Sequence, residues 1–270
     1  MIACVSFETI RITDPIKFYE CTKIHLIHYV RDESDPNNIY SRFYKRVCDI
    51  LNEQSDSIEI IEHKDDTTDF HSMLKDIHSI IDEERNRTNN CDIFINTSAG
   101  PSEYIAAATI ASMMFPGTIP FSVSADEYTI SATEYLDEET GEPIGITKKV
   151  RTPKVISKYQ IRNPDKELIT GLKILDAINN NSNRPQGPIL IRSLKHNNLW
   201  YRGEYDIESK NRIESVYLQR DFINKWKEEG WVEKDIHTKR YVITKKGRSI
   251  LDTFYTDITI KVNVETGKND

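Results

Sequence analysis

Nowhere in the 270 residues does an apolar run approach the roughly 18 residues that a membrane-spanning helix needs, so no membrane partner is expected. The start, Met1-Ile2-Ala3-Cys4-Val5, has neither the basic residues nor the cleavage site of a secretory signal, and the chain is expected in the cytosol. Cysteine is scarce. Cys4, Cys21, Cys48 and Cys91 stand far apart, form no CxxC and sit in segments that read as core or helix, which points to reduced buried thiols rather than a disulfide framework. The 7 histidines make no HxxxH or HExxH pattern, and His25 and His28 fall on opposite faces of one strand, so no zinc or other metal is expected. The 10 glycines are too few and too scattered for a dinucleotide or P-loop signature, and none frames Ser98 as a hydrolase nucleophile. Neither a catalytic residue nor a cofactor is therefore assigned.

What is present divides unevenly along the chain. The net charge of −7 conceals an acidic front and a basic back: residues 1–164 hold 17 Lys+Arg against 27 Asp+Glu, and residues 165–255 hold 17 against 13. Different partners for the two halves follow, although so modest a positive charge does not establish nucleic-acid binding without a motif.

Through the first 125 residues short apolar runs alternate with helical periodicity. Strands are expected at Ile2–Val5, Lys23–Tyr29, Ser57–Glu62, near Ile93–Asn96 and at Thr118–Val123; amphipathic helices are expected at Glu8–Glu20, Asn37–Glu53, Asp69–Glu84 and from Pro101. The class is α/β, a Rossmann-like parallel sheet with helices on both faces. A β-hairpin, Tyr128–Tyr135 with Gly145–Val150 around the polar turn Glu138–Pro143, is expected to extend the sheet edge. The linker falls near Asn163-Pro164, giving domains 1–163 and 164–256 and a tail 257–270.

In such sheets ligands sit beyond the carboxyl ends of the strands. Three loops occupy that rim: Ser6-Phe7-Glu8, Asn96-Thr97-Ser98-Ala99-Gly100-Pro101-Ser102, and Ser124-Ala125-Asp126. The second is the richest, because small residues followed by proline at the first helical position aim backbone amides and the helix dipole at one point suited to an anion. A plain turn capped by Ser98 would look the same. Glu8 and Asp126 read as helix caps rather than as lone acid–base groups.

Residues 165–180, 189–196 and 211–229 read as three helices, separated by the break 179–187 and a polar insertion through about Ser209. Strands Trp231–Lys234 and Arg240–Ile243 flank Asp235–Lys239, and a last helix runs through Phe254. This is the pattern of a winged helix-turn-helix, and Gly230-Trp231-Val232 with Ile243-Thr244-x-x-Gly247-Arg248 resembles the end of many bacterial and archaeal winged-helix regulators. Double-stranded DNA is then the expected partner, with Arg212, Ser215, Tyr217, Gln219 and Arg220 on the third helix and His237, Lys239 and Arg240 on the wing. Docking of protein by the same module is the alternative, favoured by Glu214 and Asp221 on that helix.

Taken together, Ile2-Ala3-x-x-x-Phe7-Glu8, Lys23–Ile27, Ile95–Pro101 and Ser122–Tyr128 resemble the CARF–winged-helix proteins, in which a CRISPR-associated Rossmann-fold sensor is fused to a DNA-binding domain. The resemblance implies a homodimeric transcriptional regulator in antiviral defence, its two sensor loops enclosing a cyclic oligoadenylate, cyclic tetra-adenylate first among them. It also implies that Thr97, Ser98, Gly100 and Ser102 meet phosphate and ribose while Ser6, Phe7 and Glu8 lie beneath a base, with Asn96, Ala99, Pro101, Ala125 and Asp126 completing the rim. Relatives often carry Lys or Arg just after the loop glycine, where this chain has Ser102 and then Glu103. Some relatives cleave the ring, which leaves a metal-independent ring nuclease as an alternative. The RNase-bearing relatives carry an Arg followed four to six residues later by a His, a spacing that in this chain only Arg192 and His196 have.

Overall fold

The computed structural model describes residues 1–30, 38–55, 57–88, 91–129, 136–137, 139–181, 186–200, 210–255 and 260–261. It falls into two compact units, Met1–Arg162 and Asn163–Asp270. Among the described residues no helix is long and apolar enough to cross a membrane.

The first unit alternates strand and helix: β1 (Ile2–Val5), α1 (Ile10–Phe18), β2 (Lys23–His28), α2 (Ile39–Gln54), β3 (Glu59–Lys64), α3 (Phe70–Arg87), β4 (Ile93–Asn96), α4 (Ser102–Met114) and β5 (Thr118–Ser122). These strands form one sheet in the order β3-β2-β1-β4-β5, all parallel, so the connections reverse direction between β1 and β4. β1 is covered on both faces and every one of its four residues is buried, which is why it reads as a continuous apolar run instead of alternating. Helix starts follow their caps. Asn38 accepts the Ser41 amide at 3.0 Å and Asp69 accepts the Ser72 amide at 2.6 Å, each supplying a partner to an amide that has no intrahelical carbonyl.

One irregularity shapes the site. Pro15 lies inside α1 and has no N–H to give the Arg11 carbonyl four residues earlier. The side-chain amide of Asn96 takes that carbonyl at 2.9 Å, fastening α1 to the end of β4.

The expected hairpin needs correction. β6 (Ala125–Tyr128) pairs antiparallel with β7 (Thr147–Val150) as a separate two-stranded sheet, and the main sheet is extended instead by β8 (Lys154–Val155), antiparallel to β5. The hairpin cannot extend the edge because its descending segment turns back over the loop after β1. There Ile146 N donates to Phe7 O at 3.1 Å, Thr9 Oγ1 donates to Ile144 O at 2.8 Å, and Gly145 lies against Thr9. Residues 130–135, expected as the first strand of that hairpin, lie outside the described residues.

The second unit comprises α5 (Lys166–Asn181), α6 (Gln186–His196), α7 (Lys210–Leu218), a π turn at Gln219–Ile223, α8 (Asn224–Glu228), the antiparallel pair β9 (Val232–Lys234) and β10 (Tyr241–Ile243), and α9 (Lys245–Phe254). Trp226 is fully buried at its centre and donates its indole N–H to Leu168 O at 3.0 Å. Gln186 opens α6 by bonding both backbone groups of Tyr241, at 2.7 and 2.9 Å, which holds β10 to the helices. Thr244 caps α9 through the Gly247 amide, and Arg248 grips Asp176 with two bonds of 2.7 Å. A Cβ on Gly247 would collide with Trp231 O, so α9 packs against the residue that leads into β9 only because that position is glycine. The long third helix expected at 211–229 is thus interrupted by a π turn, and the polar insertion 201–209 and the tail from 262 lie outside the described residues.

Candidate functional site

A cavity of about 490 Å³ opens at the carboxyl ends of the strands, beside the β1/β4 reversal. Its lining is Val5, Ser6 and Phe7 after β1, Tyr29 after β2, Tyr40 in the first turn of α2, Thr67 and Thr68 after β3, and Gly100 with Pro101 before α4. The rings form a connected set: Phe7 and Tyr40 lie 5.5 Å apart at 39°, Tyr29 meets Tyr40 edge-on at 5.3 Å, and the buried ring of Phe43 braces Phe7 at 5.5 Å. Among the described residues the lining holds no Lys, Arg, His, Asp or Glu.

The loop after β4 is knitted to its surroundings. Thr97 donates its amide and its hydroxyl to Phe121 O at 3.0 and 2.9 Å; the Ser98 amide goes to Asn96 Oδ1 at 2.8 Å and the Gly100 amide to Ser6 Oγ at 3.2 Å. Ser98 Oγ accepts the Val123 amide at 2.6 Å, so it joins β5 to the loop and caps no helix. Tyr104, fully buried, donates its hydroxyl to Asn96 O at 3.0 Å. Gly100 sits at φ +108°, where an L side chain is strained, and a Cβ there would be 2.8 Å from the Tyr104 ring and 2.9 Å from Cys4 Cβ. Pro101 is the N-cap residue of α4, not its first helical residue. The capacity for an anion therefore contracts to the first-turn amides of α4, which lack intrahelical partners, and there Ser102 Oγ donates to the Glu103 carboxylate at 3.1 Å.

A guanidinium reaches this loop from another element. Arg11 on α1 donates Nη1 to Ser98 O at 3.1 Å while its Nε lies 3.5 Å from Glu8. Glu8 is only 6 % exposed, and its carboxylate accepts the Thr147 amide at 3.2 Å and the Thr147 hydroxyl at 2.9 Å. Burial raises its pKa, opposed by those hydrogen bonds and by Arg11. Its expected role as a cap is corrected: Thr9 occupies the N-cap position of α1, and Glu8 ties the loop after β1 to β7. Asp126 caps nothing either. With Ala125 it belongs to β6 rather than to a rim loop, and Lys149 at 2.7 Å and Arg151 at 3.4 Å hold its carboxyl below the ordinary range.

Of the residues singled out in the sequence, Ser6, Phe7, Gly100 and Pro101 meet at the cavity. Asn96, Thr97 and Ala99 are buried, Ser98 links the loop to β5, Ser102 is exposed at the start of α4, and Ala125 and Asp126 do not line the cavity. Sequence reasoning missed Tyr29, Tyr40, Thr67 and Thr68. The rim rule that selected the loops after β1, β4 and β5 applies equally to those after β2 and β3, and would have found three of the four.

On the second unit, Arg212, Ser215, Val216 and Gln219 are exposed at the spacing of one helical face. Glu214 is turned inward, only 7 % exposed, and pairs with Lys195. Arg220 is held by Asp221, Nε to Oδ1 at 2.7 Å, with its guanidinium 4.9 Å from the Tyr217 ring. His237 and Lys239 are exposed in the β9–β10 turn, which Asp235 organises by accepting the amides of His237 and Thr238. Arg240 reaches back to Asn179 Oδ1 at 3.3 Å.

A family profile described as "HFX_2341_N:-like, N-terminal" matches residues 1–128. No curated protein matches the chain. Among solved structures, Enterococcus italicus Csm6 bound to cyclic hexa-2'-fluoro-hexa-dAMP is similar at 16% identity and a TM-score of 0.40, over 83% of this chain and 54% of that one. Can2 from Sulfobacillus thermosulfidooxidans in complex with cyclic tetra-adenylate is similar at 12% identity and a TM-score of 0.34, over 93% and 62%. The chain thus spans less than two thirds of either.

Proposed function

We propose that the chain is a homodimeric, ligand-responsive transcriptional regulator, with a CARF-type sensor of a cyclic oligoadenylate in residues 1–163 and a winged helix-turn-helix in residues 164–256. The observation that carries the sensor half is the cavity at the β1/β4 reversal, where a doubly wound sheet gathers its loops around ligands. The Csm6 and Can2 structures hold cyclic nucleotides and supply the probe for the test rather than the reasoning for it. The DNA-binding half is supported by the exposed Arg212-Ser215-Val216-Gln219 face and by His237 and Lys239 in the neighbouring turn. The inward turn of Glu214 takes a negative charge off that face and weakens the case for a protein-docking module. A metal-independent ring nuclease stays the alternative, one that would act through a backbone-lined pocket rather than a strong acid–base pair, and among the described residues no histidine, carboxylate or lysine lines the cavity.

Coupling requires the ring to bind one arrangement of the dimer more tightly than the other. Fluorescence anisotropy on labelled duplex DNA, with and without cyclic tetra-adenylate, tests the reading. The expected outcome is DNA affinity that falls steeply with salt and shifts by about 5- to 150-fold on adding the ring. Failure to retain any duplex at low salt would remove the regulator, and unchanged DNA affinity in saturating ring would remove the coupling.

A further inference from the structure

Charge is divided within the first unit as well as between the two. Residues 1–142 hold 11 Lys+Arg against 27 Asp+Glu, whereas residues 143–164 hold 6 Lys+Arg and no acid. Secondary structure does not ask for these cations. Lys148 and Lys149 lie in β7 and Lys154 in β8, and lysine is a poor strand former.

Three of the six are engaged by the fold. Lys149 and Arg151 face Asp126 across the β6–β7 pair, at 2.7 and 3.4 Å. Lys158 gives its ammonium to Thr118 O and Phe115 O, at 2.5 and 3.3 Å, beyond the end of α4. Lys148, Lys154 and Arg162 are exposed, and among the described residues none of them has a carboxylate partner. Glu134 and Glu138, the acids of the same hairpin that lie outside the described residues, are two against these three. Lys154 stands on the last strand in the order β3-β2-β1-β4-β5-β8, so it lies on an open sheet edge. Arg162 closes the first unit, and the second begins at the next residue.

A row of exposed cations suits a partner that presents a row of anions, and a phosphodiester backbone does so. Because the chain runs on directly into the unit read above as binding duplex DNA, tethering holds this row at high effective concentration beside that duplex. We propose that residues 148–162 form a second phosphate-binding strip, by which the first unit itself grips the backbone of the duplex that the second unit reads. The proposal rests on the DNA-binding reading for the identity of the partner. Contacts of this kind hold the duplex without reading its sequence.

The test measures anisotropy of a labelled mixed-sequence duplex with the full chain, between about 50 and 200 mM salt. It compares wild type, Arg212→Ala, a strip variant (Lys148→Gln, Lys154→Gln, Arg162→Gln) and a control (Lys17→Gln, Lys45→Gln, Lys75→Gln) whose three lysines are exposed elsewhere on the first unit. Both triple variants remove the same charge, and circular dichroism checks that they fold. At a slope of about 0.9 per phosphate contact, the strip variant should lower the salt slope by about 2.7, and the control should leave it unchanged. Wild type then loses about 40-fold more affinity than the strip variant across that salt range. An unchanged slope in the strip variant would reduce Lys154 to protection of a sheet edge and refute the strip, leaving the regulator reading intact. An equal fall in the control would trace the effect to net charge and refute the strip as well. A fall in the strip variant with none in Arg212→Ala upholds the strip and counts against the winged helix as the reader. No duplex bound by wild type at low salt overturns both.

Discussion

Replacing Gly100 by alanine should destabilise the first unit twice over, through the backbone and through packing. The backbone there, at φ +108°, is strained for an L residue, at a cost of about 1–2 kcal/mol. The added Cβ would also meet Tyr104 Cδ1 at 2.8 Å and Cys4 Cβ at 2.9 Å. Both side chains are buried and neither can swing aside, so overpacking adds about 1–3 kcal/mol. The expected total is about 3 kcal/mol. Gly141→Ala is the control: its φ of +70° carries backbone strain, but nothing lies within 4 Å of the new Cβ. Urea unfolding followed by far-ultraviolet circular dichroism gives both values, while tryptophan emission reports only the second unit, because Trp200, Trp226 and Trp231 are the only tryptophans. A Gly100→Ala variant no less stable than Gly141→Ala would refute the packing of the loop against Cys4 and Tyr104.

Stability should also fall between pH 6.5 and 4. Burial and the approach of His63 lower His25 to about 4, and burial lowers His63 too, whereas in the unfolded chain both titrate near the ordinary histidine value of 6.5. Across that window the unfolded state takes up protons that the folded state refuses, costing up to about 3 kcal/mol through His25; urea midpoints from pH 4.5 to 7 measure the slope, which His25→Leu should flatten. Asp76, beside Asp65 and desolvated, is raised to about 8 while Asp65 is lowered, so the pair shares a proton near neutrality and its contribution is lost as pH rises through 8. Asp76→Asn should therefore raise the melting temperature more at pH 9 than at pH 5, and an equal effect at both would contradict a shared proton. Arg212→Ala should weaken duplex binding and lower the salt slope by about one unit, and an unchanged slope would remove Arg212 from the phosphate contacts.

Periodicity located the five parallel strands and their helices because each is a local signal of apolar spacing. β8 escaped it: two residues, Lys154–Val155, are too short to alternate, and only the free edge of β5 makes them a strand. Glu8 read as a cap because it precedes a helix, yet its partner Thr147 is 139 residues away and no local rule reaches it. Arg11 was silent for the same reason, its contact with Ser98 O created by the packing of α1 on the β4 loop. The π turn at Gln219–Ile223 keeps a helical composition and alters only the register, which periodicity blurs. The cavity was half legible: Ser6, Phe7, Gly100 and Pro101 came from the rim rule, whereas Tyr40 comes from the first turn of α2 and joins the site by stacking across to Phe7.

Isothermal titration of the full chain with cyclic tetra-adenylate, set beside a Phe7→Ser variant, asks most directly whether the cavity is a sensor. One ring bound per two chains by wild type, and heat lost in the variant while its circular dichroism is preserved, is the expected result. No heat with either cyclic tetra- or hexa-adenylate, or undiminished binding by Phe7→Ser, would contradict it.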